Sequence, residues 1–507
     1  MSLGDIATVC VLVPSICLIL RAAQYLAGPD RLSWKIATVV GGLAFGHYAC
    51  MSGRVYAVMM FFFCRACFHG RVNHLSGSEL PTHAARELPQ PAPDQLYLSS
   101  FFDVSVAPLR LRGRVPDGYW SLTMFDFSAE RFYLLNNTGR GPREVFIIYV
   151  LGPQHRQAEF SLEPGSLIVQ APTTLGCIIN RIHVADSAAA KRYERWYSLH
   201  FSLQELGSRS RAYSRLATVL PGGRASQHFA EVVTLGMLSN VGLSTISCAA
   251  LLVSGYRSEH FRTWTPREPL EALVTTVSSM LYGLLLTEGI YFHWVAPALG
   301  RHFSPPAGAG AWRVRHGPGG APDEGLYLRT ALEQGGLFEL PPEQALHLFA
   351  AADDEGERLR ANREYRLSLG TEPLVQAVGL DAGGARGPPG PWWSLAVYGS
   401  DGFLLRNGMD KFSVSSADMR QTEVNGSWSI FLTYRSPDEV GCPPTSILPV
   451  GNRTNKWIVL SLRFYHLGFS CSSSRAIAGH SSWSSALLER ARLPTITRVR
   501  DSQSKLC

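Results

Sequence analysis

Apolar residues are distributed along this chain in two ways. In some stretches they alternate with polar residues over short runs, and in others they continue uncharged for about 20 residues, the length a bilayer crossing needs. Alternation is clearest in Gly118 to Asn137 (GYWSLTMFDFSAERFYLLNN), and a similar string returns at Pro391 to Gly408 (PWWSLAVYGSDGFLLRNG). In both copies a paired aromatic leads into Trp-Ser-Leu (Trp120, Ser121, Leu122; Trp393, Ser394, Leu395), and an apolar pair ending in an aromatic follows (Met124, Phe125; Val397, Tyr398). A polar patch holding an acid comes next (Asp126, Glu130; Asp401), then an apolar run ending in Asn. Such alternation, rich in Trp, Phe, Tyr and Val around a Ser-Ala-Glu or Ser-Asp-Gly turn, predicts a β-hairpin in each copy. Two hairpins of one design predict two related β lobes.

More strands are expected around the first hairpin: LYLSSFFDVSV, Val145 to Leu151 closed by Gly152-Pro153, Ser166 to Ala171, and Cys177 to Val184. Short strands with Gly/Pro punctuation predict an antiparallel sandwich. Lys191 to Leu206 carries Tyr193, Trp196, Tyr197 and Leu199 at helical spacing and predicts a helix across one end. In the second lobe, Trp428 to Tyr434 and Trp457 to Tyr465 are the clearest strands. Pro342 to Asn362, with Ala345, Leu346, Leu348, Phe349 and Ala352 on one side, predicts a helix before it.

The uncharged stretches are Ile6 to Leu20 (resumed after Arg21 to Ala27), Ile36 to Gly53 continued by Val55 to Cys64, Val232 to Tyr256, and Ala272 to Leu299 with only Glu288 and His293. They predict membrane helices, the alternative being buried helices of a soluble domain. The resulting division is a membrane-anchor region over 1–73, a Pro-rich linker over 74–95, a first β-sandwich lobe over 96–225 and a helical hairpin over 226–300. A Gly/Pro-rich linker over 301–341, a helix over 342–364 and a second β-sandwich lobe over 365–507 complete it. The fold class expected is mainly β with a helical insert: two β-sandwich lobes plus transmembrane helices.

Length and charge narrow the picture. A chain of 507 residues exceeds one ordinary core, and its formal charge of +7 is scattered as single Arg residues rather than blocks, which excludes a nucleic-acid groove. Ten cysteines, half of them in the apolar N-terminal region, are too dispersed for a disulfide scaffold, although Cys442 and Cys471 share the last lobe and can pair in an oxidising space.

No hydrolase elbow, H-E-x-x-H, P-loop or dinucleotide fingerprint occurs, so neither a catalytic residue nor a cofactor is assigned. Cys64 and Cys67 with His69 and His74 are spaced too tightly for a zinc finger, and no metal site is expected. Arg181 interrupts an apolar strand, and a buried guanidinium needs either a carboxylate, with Asp126 or Asp186 in reach, or a ligand anion. Tyr119, Trp120, Trp392 and Trp393 are candidates to floor a ligand cleft, or else core. Asn136, Asn425 and Asn452 begin glycosylation sequons that all fall in the lobes. Arg31, Lys35, Arg257, Arg262 and Arg267 would occupy loops on the opposite, cytosolic face, which puts the lobes on the lumenal or extracellular side.

Two families enter at the echoed segments. The order YWSL…FD…N, IIYVLGP, PGSLIVQAPT…INRIHVAD resembles the domain of unknown function 1254. The tail, with PWWSLAVYGSDGFLLRN, NGSWSIFLTY, SILPVGN and KWIVLSLRFYHLG, resembles the companion domain of unknown function 1214. It departs from the usual pattern at Tyr398-Gly399, where Tyr-Asp is common, and at Ser446 to Pro449, where Asn-Trp-Leu-Pro is common. The resemblance implies two β-sandwich lobes with helices between, often in exported proteins, and implies no reaction.

Together these readings predict a multi-span membrane protein that contacts lipids and presents two lobes for binding a small molecule or protein. The alternative is a membrane-tethered enzyme acting on a small or lipid-like substrate between the lobes.

Overall fold

The computed structural model describes residues 55–206, 310–314, 344–369, 392–419, 428–451, 456–465 and 493–499, with short gaps at 57, 78, 86–89, 138–140 and 185–186. It also describes 338, 340 and three positions before 55.

Alternating sequence becomes paired strand in both halves. The first half holds β1 (Ser76–Gly77), β2 (Gln95–Asp103), β3 (Leu109–Arg114), β4 (Trp120–Asp126), β5 (Arg131–Asn136), β6 (Val145–Leu151), β7 (Leu167–Gln170), β8 (Leu175–His183) and β9 (Ser202–Glu205). They form a five-stranded sheet ordered β1-β2-β8-β4-β5 and a four-stranded sheet ordered β7-β6-β3-β9. The second half holds β10 (Arg313–Val314), β11 (Ala345–Ala350), β12 (Tyr365–Leu369), β13 (Trp392–Gly399), β14 (Ser413–Ser415), β15 (Trp428–Thr433), β16 (Ile447–Pro449), β17 (Ile458–Tyr465) and β18 (Thr495–Arg498). Their sheets are β10-β11-β17-β13-β14 and β16-β15-β12-β18, the same order strand for strand. Even the parallel pairs correspond, β6 with β7 and β15 with β16.

Each lobe closes its own core between its two sheets, as period-2 side-chain alternation requires. Leu98, Trp120, Leu122, Ile148 and Ile178 meet in the first, and Leu348, Leu367, Trp393, Leu432 and Leu460 in the second. Trp120 lies opposite Ile182 and Trp393 opposite Phe464, so the two tryptophans occupy one register position of the repeated design.

Several expectations are corrected. Among the described residues no helix is long and apolar enough to cross a membrane, which overturns the multi-span membrane protein and its transmembrane helices. The physical reason is visible at Val55 to Cys64. Val55, Met59 and Phe63 are buried against Phe125, Cys177 and Ile179 of the first lobe, so one apolar face of this helical stretch is covered by a sheet face instead of lipid. The runs Ile6 to Leu20, Val232 to Tyr256 and Ala272 to Leu299 lie outside the described residues, as do all but three positions of Ile36 to Gly53.

The helix expected over 342–364 is instead β11 followed by turns. Leu346, Leu348 and Ala350 are buried in the core, and strand β17 supplies the backbone partners that a helix would have found internally. Linker 74–95 is docked: Ser76–Gly77 pairs with β2, and the Gln90 N–H donates to the Gly402 carbonyl at 2.7 Å. Linker 301–341 contributes Trp312, 1% exposed, to the second core. The helix expected over Lys191 to Leu206 spans Ser187–His200, and β9 then pairs with β3. In the second copy of the echo, β13 pairs with β14 rather than folding straight back, and only Tyr398 and Leu404 form a bridge across the turn. Cys64, Cys67 and Cys177 are free, while Cys442 is disulfide-bonded to a partner outside the described residues.

Candidate functional site between the lobes

The faces of the five-stranded sheets that point away from the cores carry the chemistry. Because side chains alternate, Trp120, Leu122 and Met124 point inward, whereas Ser121, Thr123, Arg181 and His183 point out. The second lobe does the same with Trp392, Ser394, Tyr398, Arg463 and Tyr465. Arg181 is the register partner of Ser121, and Arg463 of Ser394. The duplication therefore places one buried arginine per lobe at the same position, Arg181 6% and Arg463 2% exposed.

Aromatic rings join the two faces. Trp392 stacks on His183 of the first lobe at 3.8 Å and on Tyr465 at 4.1 Å, and Tyr119 meets Trp392 at 5.8 Å and Tyr465 at 5.5 Å. Each arginine also reaches a chain segment that leads into the opposite lobe. Arg181 donates through Nη2 to the carbonyl of Phe338, just ahead of β11, and through Nη1 to Thr123 Oγ1 at 3.1 Å. Arg463 donates through Nη2 to the carbonyl of Gln90, just ahead of β2, at 2.9 Å, and to the Tyr398 hydroxyl at 2.8 Å. Tyr398 in turn donates to the Pro91 carbonyl at 2.7 Å. Gln90 and Phe338 both have positive φ, 54° and 70°. Side-chain-bearing residues rarely adopt that conformation, which costs of order 1 kcal/mol or more and here aims each carbonyl at its arginine.

Carbonyls satisfy hydrogen bonds but do not cancel charge. Among the described residues no carboxylate lies within 4.0 Å of Arg181 or Arg463, and Nη1 of Arg463 is buried without a partner. Asp126, one of the two structural partners expected for Arg181, instead accepts from the N–H groups of Ser128 and Glu130, both at 2.8 Å, and stabilises the β4–β5 turn. Asp186, the other, lies outside the described residues. The buried acid of this region is Asp94, 6% exposed, with both carboxylate oxygens unpartnered. His183 Nδ1 is 3.9 Å from its Oδ2 and 3.2 Å from its carbonyl oxygen.

The electrostatics follow from burial. Desolvation pushes Tyr119 and Tyr398 up to about 12, opposed for Tyr119 by the nearby Arg181 and for Tyr398 by Arg463. Tyr97 is also raised by burial and feels both arginines. Desolvation lowers His183 against the pull of Asp94, so its ring is held neutral. Among the described residues, the buried charges along this seam are the Arg181 and Arg463 guanidiniums and the Asp94 carboxylate.

The sequence candidates separate accordingly. Trp120 and Trp393 are 0% and 1% exposed in the lobe cores and out of reach of any ligand. Tyr119 and Trp392 pack together where the lobes meet, and Arg181 lies on the outward face of the first lobe's five-stranded sheet. Asn136 is 9% exposed, its amide donating to Gln344 Oε1 beside β11, a poor position for a glycan. Asn425 and Asn452 lie outside the described residues. Sequence reasoning missed Arg463, Tyr398, His183 and Asp94. Carrying the echo on to the last strand of each sheet, INRIH against SLRFY, aligns Arg181 with Arg463 and would have found the second arginine. Among the described residues no group of three His, Cys, Asp or Glu is placed to hold a metal ion.

Comparison with known proteins agrees with the two-lobe architecture. Residues 72–200 match the family model described as Protein of unknown function (DUF1254), and residues 344–467 match Protein of unknown function (DUF1214). Both domains are therefore present in this chain, in the pairing that its sequence resembles. The crystal structure of the VPA0106 protein from Vibrio parahaemolyticus is similar at 16% identity and a TM-score of 0.50, covering 90% of this chain and 100% of that one. An uncharacterised protein from Burkholderia cenocepacia, also known from a crystal structure, is 11% identical with a TM-score of 0.42, over 95% of this chain and 98% of that one. The Vibrio likeness supports the fold alone, and no curated protein matches.

Proposed function

We infer that this chain binds a small organic anion, a carboxylate-bearing molecule, between its two lobes. The observation that carries the reading is the pair of equivalent buried arginines with no carboxylate within ion-pair distance among the described residues. Burying a guanidinium is costly unless a counter-charge accompanies it, and a planar carboxylate matches the guanidinium fork. Backbone carbonyls occupy part of each fork, and Nη1 of Arg463 remains to receive an anion. Residues on both lobes would hold the ligand: Arg181 and Tyr119 on one, Arg463 and Trp392 on the other.

Thermal melting of the full chain in citrate, propionate or inorganic phosphate, against chloride at matched ionic strength, tests this. A ligand at a hundredfold excess over its Kd adds about 2.7 kcal/mol to the native state. A saturable rise in Tm is expected, lost in Arg463→Met and in Arg181→Met. An unsaturable rise of equal size in wild type and both variants would sink the reading.

A further inference from the structure

Asp94 holds a position that an anion alone leaves unexplained. It sits at the end of the segment that Arg463 and Tyr398 grip through the carbonyls of Gln90 and Pro91, so the same short strap ties it to the second lobe's arginine. On its other side Asp94 is tied to the first lobe, its carbonyl accepting the Val184 N–H at 3.0 Å. A carboxylate only accepts hydrogen bonds, and burying one with no donor costs several kcal/mol. Both oxygens of Asp94 are buried without a donor, and His183 Nδ1, at 3.9 Å from Oδ2, is beyond hydrogen-bond distance. Ser394 Oγ, the register neighbour of Arg463, is buried without a partner as well. A plain carboxylate would satisfy the guanidinium while bringing a second negative charge to the side of Asp94. A ligand with an anionic end and a donor end would satisfy both.

We propose that the interlobe ligand is an amino or hydroxy acid, its carboxylate on Arg463 and its ammonium or hydroxyl on Asp94. This rests on the anion reading above and adds the second contact. Calorimetric titration of the full chain with matched probes tests it: propionate against L-lactate, L-alanine and β-alanine, and butyrate against 4-aminobutyrate. At least one donor-bearing probe is expected to bind about tenfold or more tightly than its plain counterpart, the scale of a hydrogen bond to a charged group. Asp94→Asn should erase the advantage of an ammonium and leave the plain acid bound at least as well. If Asp94→Asn does not fold, Asp94→Ser serves the same purpose. Plain acids that bind as tightly as every donor-bearing partner, and lose binding in Arg463→Met, would overturn this proposal and leave the anion reading standing. Silence from all the probes would remove both.

Discussion

Arg181 and Arg463 stand in the same register of two copies of one nine-strand design, Arg181 opposite Ser121 and Arg463 opposite Ser394, and each holds a carbonyl of the segment leading into the other lobe. The lobes are thereby cross-tied by two arginines that have no carboxylate within 4.0 Å among the described residues.

That arrangement predicts an unusual ordering of stabilities. Breaking a buried ion pair usually costs about 3–5 kcal/mol because a charge is left behind. Arg463→Met leaves no orphaned carboxylate within ion-pair distance among the described residues, and the desolvation it relieves offsets much of the two hydrogen bonds lost, so its cost should stay within about 2 kcal/mol. Glu364→Ala strands Arg435 and Thr433, which both bond to Glu364, and should cost about 1–3 kcal/mol although the pair is partly exposed. Urea unfolding of the two variants measures the order, and a far larger loss for Arg463→Met would mean that the arginine has a counter-ion in the folded chain.

The neighbouring tryptophans should separate by role. Trp393→Ala empties the second core and should cost about 3–5 kcal/mol. Trp392→Ala removes the ring between His183 and Tyr465 but leaves both cores intact, so hydrogen exchange should quicken around 90–97 and 183–184 while β15 and β6 stay protected. Uniform acceleration across both cores would contradict the separation.

Acid should loosen the same seam. The folded-state pKa of His183 is lowered by burial, so protons favour the unfolded chain. Its contribution is complete above the ordinary histidine value of about 6.5 and is lost as pH falls from there toward the lowered folded value. Asp94 and Asp418 oppose the shift without reversing it. Unfolding free energy measured between pH 7.5 and pH 5 should fall less in His183→Gln than in wild type, and identical profiles would refute the assignment.

Gly176 should not accept a side chain. A Cβ there would stand 2.4 Å from the Phe125 carbonyl oxygen and 2.5 Å from the Phe102 ring, in the strand between β2 and β4. Gly176→Ala should cost about 1–3 kcal/mol or more by overpacking, read as a lower urea midpoint, whereas an unchanged midpoint would mean that the sheet yields.

Sequence pattern revealed the strands whose alternation was strong. Val145–Leu151 is β6 with the expected bounds, and the first echo is the β4–β5 hairpin. It failed where one pattern suits two structures: ALHLFA presents apolar residues at spacings that fit a helix until a partner strand in β17 decides the matter. It failed again at Val55 to Cys64, since an apolar run does not say whether lipid or a sheet face covers it. Arg181 was legible as a charge in an apolar strand, but Asp94 was not, because a single acid in a Pro-rich segment gives no sign of burial until the strap is seen threaded between lobes.

The most direct test is the anomalous scattering of bromine in crystals of the full chain soaked with 3-bromopropionate. A bromine peak between the lobes is expected, with the carboxylate density on Nη1 of Arg463. A complete data set that shows bromine only on the outer surface, with that nitrogen still unpartnered, would contradict it.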